Sequence, residues 1–77
     1  MNKLQLQDHF FTMLIDKKIM PIQSRYIAYK LIEDFKISSF IFISLQSEYF
    51  TIETEKNERY KIELLEIDVP ANSIIKI

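Results

Sequence analysis

Glycine and cysteine are both absent from this chain, and histidine occurs once, at His9. Glycine supplies the positive-φ backbone and close approach that phosphate-binding loops need, so P-loop and dinucleotide fingerprints are excluded. Any tight turn must be made by another residue. Without cysteine there is no disulfide and no thiolate for zinc, so the usual staples of a small chain are missing. At 77 residues one domain is expected, of a size that buries only about 60 to 65 percent of the surface its unfolded chain exposes. Stability must therefore come from packing or from a partner.

Long hydrophobic runs are lacking too. No uncharged stretch reaches the ~18 apolar residues of a membrane span, and Asn2 to Asp8 is too polar for a secretory leader. A cytoplasmic location away from membranes is the expectation. The chain carries no large excess of either charge, with a net charge of −1, so no global field draws it to nucleic acid. Locally the balance tilts. Up to Ser38, Lys3, Lys17, Lys18, Arg25, Lys30 and Lys36 outnumber Asp8, Asp16, Glu33 and Asp34, whereas beyond it acids predominate.

What is present is apolar bulk: 48% hydrophobic residues, including six Phe and four Tyr. The abundance of Ile, Lys, Asn and Phe matches an AT-rich genome, which hints at a low-GC bacterium, a phage or a plasmid.

From Leu4 to Lys18, Leu6, Phe10, Met13 and Leu14 recur at helical spacing, with Phe11 and Ile15 widening the stripe. Pro21 disfavours helix at Met20 and has its φ preset for a new first turn. A second helix is predicted over 21–35, with Ser24, Ile27, Ala28, Leu31, Ile32 and Phe35 inward and Tyr26 and Tyr29 at the border. Tyr29 and Lys30 are each placed to reach Glu33 or Asp34 one turn on.

Past Lys36 the period changes from 3.6 to 2. Ile37 to Leu45 carries bulk on both faces, and the run Phe40, Ile41, Phe42, Ile43 predicts a central strand. Glu48 to Thr54 follows with Phe50 and Ile52 on one face. For these to share a face with Tyr60, Ile62 and Leu64, paired positions must have equal parity, which demands a loop of odd length. Lys56, Asn57 and Glu58 fit, setting Glu55 opposite Arg59 and Glu53 opposite Lys61. Asn57 is the residue best suited to left-handed backbone. The inward set then shifts to Leu65, Ile67 and Val69, predicting a bulge near Leu64. Pro70, Ala71 and Asn72 end the strand. The apolar tail Ser73 to Ile77 reads as a short edge strand, added to this sheet or to a second copy.

The fold expected is α+β: a two-helix hairpin packed on an antiparallel sheet of three to four strands, ααβββ with a possible short C-terminal edge strand. Its predicted core is Phe10, Met13, Leu14, Ile27, Leu31, Ile32, Phe35, Phe40, Phe42, Phe50, Ile52, Ile62 and Leu64.

Catalytic chemistry has little to draw on. Asp8 and His9 are sequence neighbours whose side chains diverge by about 100 degrees on a helix. Alternation on a wet sheet face accounts for Glu53, Glu55, Glu63 and Glu66 without a hydrolytic pair or a Mg²⁺ site. The expectation is no enzyme, no metal, no cofactor and no small-molecule substrate.

Two binding readings are left. Two helices followed by a hairpin share the element order of a winged helix, and Gln23, Ser24, Arg25 and Lys30 include types that read base edges or phosphates. The hairpin that would be the wing has no basic excess, however, and a third helix is lacking. The favoured reading is a small protein-interaction module, a dimeric regulator or inhibitor. Its partner-binding residues would be Tyr26, Tyr29, Tyr49, Ile74, Ile75 and Ile77, since tyrosines are enriched at interfaces and a short apolar strand suits β-augmentation.

Overall fold

In a computed structural model, described over residues 1–64 and 74–77, the chain forms two helices followed by a four-stranded antiparallel sheet. The α+β class and the short C-terminal strand are as expected. The chain divides into two compact units, Met1–Ile37 and Ser38–Ile77.

In the first unit, helix α1 spans Lys3–Asp16 and α2 spans Pro21–Glu33. Asn2 starts α1 with a capping box: its carboxamide oxygen accepts the Gln5 N–H at 2.9 Å, and Gln5 Oε1 accepts the Asn2 N–H at 3.0 Å. Lys18 ends the helix with φ 68°, the position glycine usually takes. Its N–H donates to the Ile15 carbonyl, that of Ile19 to Leu14, and the side chains of Ile19 and Leu14 are both buried. That is a complete Schellman motif without glycine. Ser24 Oγ donates to the Ile19 carbonyl at 3.1 Å, tying the α1–α2 turn to α2, while Lys3–Glu33 and Arg25–Asp8 ion pairs bridge the antiparallel helices. Past α2, Lys36 also takes left-handed backbone, φ 56°, and lets Ile37 N–H return to the Leu31 carbonyl at 3.0 Å.

In the second unit the strands are β1 (Phe40–Leu45), β2 (Tyr49–Thr54), β3 (Arg59–Glu63) and β4 (Ile74–Lys76), adjacent in chain order. This corrects the central-strand expectation. Short loops join β1 to β2 and β2 to β3, which puts β2 between its sequence neighbours and leaves β1 at the end of the order among the described residues. The unbroken alternation expected from Ile37 to Leu45 also fails, for two reasons. Lys36 turns the chain, and the Glu55 carboxylate accepts the backbone N–H groups of Ser38 and Ser39, so the strand begins only at Phe40. A bulge then falls between Phe42 and Ser44. It moves Ser44 to the face of Thr51, where the two hydroxyls meet at 2.8 Å, and Leu45 to the position opposite Phe50.

The β2–β3 register keeps the expected parity, pairing Phe50 with Ile62 and Ile52 with Tyr60. It sits two residues from the predicted one. Thr54 N–H donates to the Glu58 carbonyl, so the three-residue loop is Glu55, Lys56 and Asn57, with Asn57 at φ 61° as anticipated. Arg59 therefore faces Glu53 at 3.0 Å, and Thr51 faces Lys61. Glu55 is unavailable to Arg59 because its carboxylate holds the start of β1.

Phe40, Phe50, Ile52, Tyr60, Ile62 and Ile74 are buried on one face of the sheet, with Phe42 half-buried against Phe40 and Phe50 at ring separations of 5.4 and 5.6 Å. Of the predicted core, Met13, Phe35, Phe42 and Leu64 are only half-buried, and Ile19, Ala28, Ile37, Tyr60 and Ile74 join it. The predicted shift to Leu65, Ile67 and Val69, and the strand end at Pro70, Ala71 and Asn72, lie outside the described residues.

Candidate functional site

Helix α2 is apolar on more than its inward side. Ser24, Ile27, Ala28, Leu31 and Ile32 are buried, whereas Ile22, Arg25, Tyr26 and Tyr29 follow i, i+3, i+4, i+7 along a second stripe. With Gln7 of α1, that stripe lines an open groove of about 420 Å³. Ile22 is 78% exposed and Tyr29 50%, large apolar surfaces left in water. Leu4, one turn before Gln7 and Asp8 on α1, is 72% exposed.

The Arg25–Asp8 ion pair borders the groove. The Arg25 guanidinium lies 3.9 Å from the centroid of Phe11 and donates to Asp8 Oδ1 at 3.3 Å. The Phe11 ring attracts the guanidinium and Asp8 satisfies part of its charge. Lys30 sits 5.9 Å from the Tyr26 ring centroid and pairs with Asp34 one turn on, as the helical spacing predicts. The hydrogen bond to Asp34 is the main reason that the Lys30 ammonium titrates above its ordinary range.

Of the residues expected to bind a partner, the structure thus brings Tyr26 and Tyr29 together in one groove. The others lie in the sheet. Tyr49 is half-buried with Lys61 Nζ 4.6 Å from its ring centroid. Ile74 is buried opposite Ile62, while Ile75 and Ile77 are exposed. The C-terminal strand is part of this chain's own sheet: Ile75 pairs with Lys61, and Ile77 N–H donates to the Arg59 carbonyl at 2.9 Å. Lys76 pairs with Glu58 at 2.6 Å, which depresses the Glu58 pKa and raises that of Lys76.

The residues of the DNA reading fall into two groups, two buried and two in ion pairs. Gln23 is 8% exposed and Ser24 fully buried, so neither side chain is open to a base edge, and Arg25 and Lys30 each face a carboxylate. His9 is exposed on α1 beside Phe10, at a ring separation of 6.2 Å. Glu53 is paired with Arg59 and Glu55 with Ser38 and Ser39; Glu66 lies outside the described residues. Among the described residues no three His, Asp or Glu side chains come together as metal ligands, and no helix is long and apolar enough to cross a membrane.

Ile22 and Gln7 escaped sequence reasoning. The signal was present for Ile22, which stands at i−3, i−4 and i−7 from Arg25, Tyr26 and Tyr29; it was masked by the stronger stripe through Ile27 and Leu31.

Comparison with known proteins adds no constraint: no protein-family model matches the chain, and no curated protein or solved structure is significantly similar to it.

Proposed function

We propose that the chain is a non-catalytic protein-interaction module, a regulator or inhibitor that docks a protein through the α1–α2 groove in the cytoplasm. The observation that carries this reading is the groove itself: Ile22, Tyr26 and Tyr29, with Arg25 over the Phe11 ring, form an open apolar surface. Tyrosine and arginine are the types enriched at interface cores, and aromatic anchors with Arg supply most hot spots. An apolar patch of this kind on a small chain marks a contact surface more often than a defect. Gln7 and Arg25 supply polar groups beside the apolar surface, which suits an amphipathic segment better than a membrane or a lipid.

A photo-reactive aromatic residue in place of Tyr29, irradiated in the cells that make the protein, tests this. Adducts with protein are expected, abolished by Ile22→Glu. Probes at Lys17 and at Ser47, in the loop before β2, serve as controls. Labelling at Tyr29 no stronger than at those two sites would contradict the reading.

A further inference from the structure

Resting on the reading of the groove as a docking surface, we infer that its occupant is a second copy of the chain, packed about a two-fold axis with the two α2 helices antiparallel. A two-fold interface presents the same patch from both sides, so the patch must be complementary to itself. The α2 stripe has that property. Ile22 and Tyr29 stand at its two ends, two turns apart, with Arg25 and Tyr26 between them. Antiparallel packing sets Ile22 of one copy on Tyr29 of the other, and brings each Arg25 to the Tyr26 ring across the axis.

Charge favours a copy over an unrelated partner. The ion pair beside the groove joins one base and one acid, Arg25 and Asp8, whose side chains are 56% and 76% exposed. A strongly acidic segment would meet Asp8 as a like charge, and a strongly basic one would meet Arg25. A second copy brings the same pair in reverse order, so each Arg25 gains the other copy's Asp8 and the four charges alternate around the axis.

Sedimentation equilibrium of the full chain tests this, with Arg25→Asp and Asp8→Arg made singly and together. The expected mass is twice the 9.3 kDa of one chain. Each single reversal should weaken self-association on the order of tenfold, and the double reversal, which restores the charge pairing but not the contact of Arg25 with Tyr26, should bind more tightly than either single variant. Both side chains are exposed, so circular dichroism should show the variants folded; Ile22→Glu should be folded and monomeric. A wild-type mass of 9.3 kDa up to the solubility limit would overturn the proposal, as would a dimer indifferent to all these changes. If the monomeric chain still labels another protein from the Tyr29 probe, only the second copy is refuted. If that probe labels nothing, the docking reading fails with it.

Discussion

Lys18 and Lys36 do the work of glycine. Both hold left-handed backbone, at φ 68° and 56°, where an L-residue pays roughly 1 to 2 kcal/mol for the crowding of its Cβ. Lys18→Gly and Lys36→Gly should therefore each stabilise the protein by about 1 kcal/mol, less the entropy that glycine gains in the unfolded chain. Urea midpoints would show it; a loss of stability in both variants would contradict the assignment of these turns. Only Asn57 was legible beforehand as a left-handed residue, because its side chain tolerates that region. Lysine carries no such signal, and its place at Lys18 is dictated by the Schellman bonds of Lys18 and Ile19 and the burial of Ile19.

Glu55, like Glu58, contributes to the pH dependence. Burial alone would raise its pKa. The N–H groups of Glu55, Ser39 and Ser38 and the Ser38 hydroxyl together outweigh that and hold the carboxyl below the ordinary range. A depressed native pKa means stability that is full above the unfolded-state value and is lost as pH falls through the native one. The urea midpoint should accordingly drop on acidification through and below the usual carboxylate range, with a shallower acid slope in Glu55→Gln. An unchanged slope in that variant would remove Glu55 from the acid response.

Among the described residues, the sheet centre is β2 and β3, both alternating cleanly, and the densest apolar run lies at its end. Phe50 is fully buried on β2 and Phe42 half-buried on β1. Phe50→Ala should cost about 3 to 5 kcal/mol and Phe42→Ala distinctly less; equal losses would restore Phe40 to Ile43 to the centre. Ile74→Ala should cost about 2 to 4 kcal/mol, because its side chain is buried opposite Ile62 rather than held for a partner. A chain unaffected by that change would show that β4 contributes little to its own sheet. Element types and the strand parity were readable because side-chain period and face are local properties. Strand order was not, since a run apolar on both sides is equally compatible with the middle of a sheet and with an end strand whose outer residues stay exposed, as Ile41 does at 60%. The β2–β3 register was missed by two residues because two opposite-charge ladders were possible. The one realised, Glu53 with Arg59, leaves Glu55 for the backbone of Ser38 and Ser39.

For the whole molecule, two surfaces compete as the place where another protein binds: the proposed α1–α2 groove and the exposed isoleucines of the sheet. Sequence reasoning named Tyr26 and Tyr29 from residue type and passed over Ile22, whose exposure follows from how α2 is rotated about its axis. Spectra of the chain with labelled isoleucine methyl groups, recorded over a wide range of protein concentration, separate the two surfaces. The Ile22 methyl should shift with concentration while those of Ile41, Ile43 and Ile75 stay in place. Movement of the sheet isoleucines with Ile22 unmoved would contradict it.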